Sequence, residues 1–161
     1  MWRGQGKRSD GACDCPPDSR GTLTLRSPNP ADQPVIRPNY LDHPNDLRVM
    51  LGAAAICRRI AALPPFRDLL EEELRPGPEA TSEEATEANI RATANTVFHP
   101  CGTARMGSDD RAVVDPELRL RGVEGLRVAD ASVFPLIPSP NIQPAALMVG
   151  ERCAEFMRRA A

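Results

Sequence analysis

At 161 residues, 41% hydrophobic and 26% charged, the chain suits one domain with a modest core and leaves little room for two full ones. Its net charge of −2 comes from scattered charges of both signs, so the basic stripe that nucleic acid requires is not expected. No apolar run reaches the length of a membrane span and Met1-Trp2-Arg3-Gly4 lacks the apolar centre of a secretory signal, so the chain reads as soluble and cytoplasmic.

In chain order, residues 1–18 mix Gly, Arg, Lys, Asp and Pro with few apolar residues after Trp2. Such a stretch cannot bury enough surface to offset its ordering entropy and is predicted to be disordered. Gly4-Gln5-Gly6 is the one approach to a dinucleotide-binding G-x-G-x-x-G; Ser9 stands at the third glycine and no β-rich run precedes it, so the match reads as chance. Thr22-Leu23-Thr24-Leu25 alternates like a half-buried strand and stops at Ser27-Pro28-Asn29-Pro30. Pro34 and Pro38 keep the next stretch extended, and Tyr40 is expected to pack on the sheet rather than line a pocket.

Asp42-His43-Pro44 starts a helix, with Pro44 in the first turn where a missing N–H costs little and His43 as a helix-start residue. Over 45–63 the positions Val49, Ala53, Ile56, Ile60 and Leu63 recur at three- and four-residue steps, with Met50 and Cys57 widening the stripe, and predict the buried face. Arg58 and Arg59 read as solvated, and Pro64-Pro65 ends the helix. A short acidic helix is predicted over 66–74, its clustered carboxylates Glu71 to Glu73 being solvated rather than metal-binding. Thr81 with Glu84 has capping-box spacing and opens a helix to about Ala92. Thr96-Val97-Phe98 is a brief β-like run. Leu118 to Leu120 and Leu126 to Val128 flank the turn Gly122-Val123-Glu124-Gly125 as two short strands. Pro144 starts a final helix whose Val149, Cys153, Phe156 and Met157 share a face, with Arg158 and Arg159 at the end where cations are favoured.

Chemistry concentrates in Phe98-His99-Pro100-Cys101-Gly102-Thr103-Ala104-Arg105-Met106-Gly107. A neutral imidazole accepts a proton near neutral pH, and a loop stiffened by Pro100 and tightened at Gly102 and Gly107 would hold its nitrogen in one place. Cys101 beside His99 also admits a thiol nucleophile, but nothing else in the chain supports acyl transfer. Cys13, Cys15, Cys57, Cys101 and Cys153 are an odd count without C-x-x-C spacing, which fits reduced thiols and argues against a metal site.

The ordered set H-P-x-G-T-x-R-M-G from His99, V-V-D-P-x-L-R from Val113, G-x-x-G-L-R-V-x-D-A-S from Gly122 and N-x-Q-P from Asn141 resembles the C-terminal part of the glucose-methanol-choline (GMC) FAD-dependent oxidoreductases, choline dehydrogenases among them. Residues 19–161 would be that C-terminal domain. The fold implied is α+β: a partial substrate domain with a small, mainly antiparallel sheet packed by helices, and a C-terminal helix that would dock on an FAD domain. Because the family's dinucleotide fingerprint finds no match, the adenine-binding half is expected to be missing.

By that resemblance His99 is the base that takes the hydroxyl proton of an alcohol whose hydride goes to the flavin. Asn141 stands at the second catalytic position, able to donate to the substrate oxygen as it gains charge. Asp130 and Ala131 would approach the ribityl-pyrophosphate part of FAD, while Gln143 and Pro144, opening the last helix, would face its pyrimidine edge. Three alternatives stay open: a non-catalytic remnant, a subunit active only beside a separate FAD-binding domain or chain, and a binding or assembly module. Read without the resemblance, His99 is an ordinary loop histidine, Asn141 a helix cap and Asp130 the end of a strand.

Overall fold

The computed structural model describes residues 2–4, 6–8, 16–139 and 141–160. Cys13, Cys15 and half of the stretch predicted to be disordered lie outside the described residues, while residues 2–4 and 6–8 of that stretch are in strands. The chain divides into two compact units, Met1–Asn95 and Thr96–Ala161. Its described elements are short antiparallel strands and three α-helices, an α+β composition.

In the first unit, β1 (Trp2–Gly4) pairs with β2 (Gly6–Arg8) on one side and β5 (Leu70–Glu73) on the other. β3 (Thr22–Thr24) and β4 (Val35–Arg37) form a separate hairpin, Leu23 opposite Ile36. The strand predicted at Thr22 is present but exposed along its length rather than half-buried. Tyr40 is likewise exposed.

α1 (Pro44–Ala61) begins where Pro44 predicts, with His43 as its cap: the ring Nδ1 accepts from Asn45 N at 3.2 Å. The start is anchored by Asp46, 2% exposed, whose carboxylate accepts the N–H groups of Asp18 (2.7 Å) and Ser19 (2.9 Å). Asp18, His43 and Asp46 thereby bring ligand-type atoms within 4.8 Å of one another, and each of the three side chains already accepts a bond from a chain N–H. The buried stripe of α1 is only partly the expected one. Val49, Ile56, Ile60 and Leu63 are exposed, whereas Met50, Ala53 and Cys57 of the predicted stripe turn inward together with Leu47, Leu51, Ala54 and Ala61. Apolar residues occur nearly all round this helix, so periodicity marks two adjacent stripes and cannot say which one the unit covers.

No helix forms over 66–74. Turns follow Pro65, and Leu70–Glu73 becomes β5 against β1. The segment is penned between Pro64-Pro65 and Pro76, too short to propagate a helix, and a partner strand decides its state. Glu73 and Arg58 are not merely solvated: Arg58 Nε reaches the Glu73 carboxylate at 3.1 and 3.2 Å, with Glu73 largely buried. α2 (Glu83–Thr93) is capped one residue later than expected, by Ser82, whose hydroxyl accepts from Ala85 N at 3.2 Å.

The second unit closes on a core of Val114, Leu118, Val133, Phe134, Ile142, Val149 and Cys153. The two expected strands appear as paired extended segments rather than regular strands: Leu120 N bonds Leu126 O at 2.9 Å and Val128 N bonds Leu118 O at 3.0 Å. Gly122 (φ 78°) and Gly125 (φ 73°) supply the left-handed backbone of the turn between them. The V-V-D-P-x-L-R motif is a turn built on one carboxylate. Asp115 Oδ1 accepts from Glu117 N (2.8 Å) and Arg119 N (2.9 Å), and Asp115 Oδ2 from Arg119 Nε (2.8 Å). This turn holds Leu118 at φ 66° and 3% exposure in the core. The last helix, α3, spans Ile142–Ala160, starting two residues before the expected Pro144. Val149, Cys153 and Phe156 face the core as the periodicity predicts, but Met157 is exposed.

Candidate active site

All six residues singled out in the sequence lie in the second unit, on the loop before its core, the turn in the middle and the start of α3. The His99 loop is not strand-like at its entrance; Phe98 sits at φ 62° and is 80% exposed. From there the chain is stitched to the 3₁₀ turn Ala131–Val133: Ala104 N donates to Ser132 O at 3.0 Å and Met106 N to Val133 O at 2.8 Å. Gly102, at φ 87°, passes close to the Phe134 carbonyl. The loop's exit is clamped by Arg105, whose guanidinium bonds both oxygens of Asp109 at 3.0 and 2.6 Å, while Arg121 Nη2 reaches Gly107 O at 2.8 Å.

His99 itself is half-buried, and its ring bonds no described residue. Cys101 packs on the same core as Ile142, the residue after Asn141. The loop of the imidazole and the opening of α3 are thus fastened to one cluster, which is the extent to which the fold brings the two candidate catalytic residues together.

Asn141 is exposed and does cap α3: its Oδ1 accepts from Gln143 N at 2.9 Å. That bond fixes the orientation of the carboxamide. With the oxygen turned to the helix, the Nδ2 group carries two N–H donors with no bond to a described residue. Gln143 and Pro144 are exposed in the first turn of α3, which contains no acidic residue. Asp130 caps the 3₁₀ turn, Oδ1 accepting from Ser132 N at 2.7 Å, and this side-chain and backbone bonding lowers its pKa from the usual aspartate value. Ala131 is half-buried against the core. An open groove of about 1010 Å³ runs beside Arg119, Leu126, Arg127, Cys153 and Met157. None of the six candidates lines it. Cys153 lies twelve residues beyond Asn141, roughly 18 Å along the helix.

Two supports carry no catalytic signature in the sequence. Thr96 accepts the Phe98 N–H through its hydroxyl at 2.9 Å, and a Thr-x-Phe spacing before a histidine is the only trace of it. The Arg105–Asp109 clamp is the other. The Arg105 side chain, then the Arg111 N–H, hold the Asp109 carboxyl far below the ordinary carboxylate range. A depressed folded-state pKa means the contribution is present above the unfolded value near 4 and is lost only as pH falls through the lower folded value. The Asp109 carboxyl carbon should therefore show no NMR titration step between pH 6 and 3; a step near pH 4 would mean the clamp does not hold in solution.

Comparison with known proteins matches this arrangement of loop, turn and helix. Residues 17–150 match the GMC oxidoreductase family, and the chain belongs to it. It is 47% identical over 146 residues to choline oxidase of Arthrobacter globiformis, covering 88% of this chain and 27% of that protein. To the alcohol dehydrogenase (acceptor) of Pseudomonas putida it is 42% identical over 147 residues, covering 91% of this chain and 27% of that one. Among solved structures it resembles formate oxidase of Aspergillus oryzae, in a study of FAD modification, with a TM-score of 0.85 and 35% identity over 90% of this chain and 26% of that one. The chain spans about a quarter of the length of the curated relatives it matches. No described helix is long and apolar enough to cross a membrane.

Proposed function

We propose that this chain supplies the catalytic base and an oxyanion donor to the FAD-dependent oxidation of an alcohol CH–OH group. The observation that carries the reading is a pair of uncommitted polar groups whose chain neighbours Cys101 and Ile142 are fastened to one core: an imidazole bonded to nothing described, and a carboxamide whose helix cap leaves its N–H donors without a described partner. His99 takes the hydroxyl proton on a ring nitrogen while the carbon-bound hydrogen departs with its electron pair, so proton and hydride leave to different acceptors. Asn141 Nδ2 donates to the oxygen as it gains negative charge, a dipole oriented in advance by the cap.

Bound FAD supplies the hydride acceptor. The chain's own residues fit such a group through the helix dipole: the first turn of the 19-residue α3 contains no acidic side chain to offset its positive end, although Gln143 N is taken by Asn141 and Pro144 has no N–H, and that end favours the anionic edge of a reduced flavin. Gln143 and Pro144 would border that edge, and Asp130 and Ala131 the ribityl-pyrophosphate part. The rest of the flavin site would come from the three-quarters of the family length outside the match, in the same chain or a partner. A reducing, cytoplasmic setting is part of the same reading, with Cys57, Cys101 and Cys153 as thiols rather than disulfides.

The test is reconstitution. The full chain is mixed with FAD and the complementary part of the Arthrobacter globiformis choline oxidase, produced separately. A yellow complex that bleaches anaerobically with choline or another alcohol is the expected result. A complex that co-elutes with FAD but is bleached by no choline, aryl or short-chain alcohol would overturn the catalytic reading in favour of a remnant or assembly role.

A further inference from the structure

The entrance to the His99 loop holds a conformation that its own residues do not favour. Phe98 has φ 62°, in the left-handed region where a Cβ crowds the following carbonyl and which glycine, asparagine and aspartate tolerate far better than a bulky aromatic. Among the described residues of this chain packing does not hold it there, because its side chain is 80% exposed. What meets the Phe98 backbone is the Thr96 hydroxyl, accepting its N–H at 2.9 Å. On the far side of His99 the chain is already pinned, by the Ala104 and Met106 bonds to the 3₁₀ turn. Thr96 and those bonds bracket the histidine.

We infer that Thr96 is a positioning residue for His99: its hydroxyl fixes the Val97–Phe98 peptide plane from which the chain turns left-handed at Phe98 towards the pinned far side of the loop, and so sets the direction from which the backbone presents the imidazole. A residue forced into a sparsely populated φ next to a candidate base, without buried contacts to explain it, is where local strain serves orientation. The importance of His99 rests on the proposed base role, but the positioning itself does not.

The measurement is NMR on the labelled full-length chain carrying Thr96→Val or Thr96→Ser. In the wild type Phe98 should show the strong intraresidue HN–Hα cross-peak that a positive φ produces, and slowed amide exchange. Thr96→Val should weaken the cross-peak, speed Phe98 exchange about tenfold, the equivalent of one net hydrogen bond, and loosen the His99 ring, while Val114, Leu118 and Val133 resonances stay in place. Thr96→Ser should restore all three readouts. A Thr96→Val chain with Phe98 and His99 signals unchanged, or a Thr96→Ser chain that fails to rescue them, overturns the inference.

Should Thr96→Val prove too unstable, a cycle with Phe98→Gly decides: glycine needs no help at φ 62°, so the Thr96 substitution should lose most of its effect in that background, and an undiminished effect counts against positioning. None of these readouts involves turnover. In the reconstituted complex Thr96→Val should lower kcat with little change in KM; if His99→Gln leaves turnover intact, the base role fails while the NMR outcome still stands.

Discussion

Replacing His99 by glutamine should lower the rate of anaerobic flavin bleaching in the reconstituted complex by about 10²–10⁴-fold, the usual contribution of a positioned general base. Glutamine keeps a polar group of similar reach but cannot take up a proton at neutral pH, so the loss would isolate proton abstraction from substrate contact. Single-turnover bleaching is the measurement of choice, because it reports the chemical step without reoxidation or product release. A rate within threefold of the wild type would remove His99 from the reaction.

Asn141 offers a sharper test than deletion, since it does two jobs with two ends of one carboxamide. Its oxygen caps α3 through Gln143 N, and only its nitrogen is free to donate to substrate. Asn141→Asp keeps a good cap yet turns the outer face from donor to acceptor and places a negative charge where one is developing. Asn141→Ala loses both. If the donor matters, Asn141→Asp should be slowed at least 10²-fold, the scale seen for loss of one oxyanion donor, while its thermal stability stays nearer the wild type than that of Asn141→Ala. Equal rates for wild type and Asn141→Asp would leave Asn141 as a cap alone.

Where the sequence was legible, a local signal and the tertiary environment agreed. Pro44 after His43 marks the start of α1, the spacing of Val149, Cys153 and Phe156 marks the inner face of α3, and two glycines mark the turn at 122–125. β5 was misread as helix because the partner that makes it a strand, Trp2–Gly4, lies more than sixty residues away. The covered stripe of α1 was legible only at Met50, Ala53 and Cys57, because a helix apolar on several sides does not say which side its own unit covers. Of the candidate site, residue types and order were legible; what the letters do not carry is backbone state. Nothing in the identities of Phe98 or Leu118 announces φ values of 62° and 66°; they occur beside hydrogen bonds accepted by the Thr96 hydroxyl and the Asp115 carboxylate from chain N–H groups nearby.

At Leu118 that conformation should reverse an ordinary stability order. Leu118→Ala removes most of a side chain that is 3% exposed at the centre of the second unit's core, a change that costs about 2–5 kcal/mol, and it leaves a Cβ at φ 66°. Leu118→Gly removes one carbon more but frees the residue from a left-handed strain worth roughly 1–2 kcal/mol. Against that stands the entropy glycine adds to the unfolded chain, about 0.4–1 kcal/mol. The two should nearly cancel or favour glycine, so in urea unfolding Leu118→Gly should be at least as stable as Leu118→Ala. Val133, fully buried in the same core but in a 3₁₀ turn without positive φ, provides the control: there glycine should be the worse substitution by roughly 0.5–1 kcal/mol. If glycine is worse than alanine by the same margin at both positions, Leu118 is not held in the left-handed region in solution, and the turn assigned to Asp115 does not do what its hydrogen bonds imply.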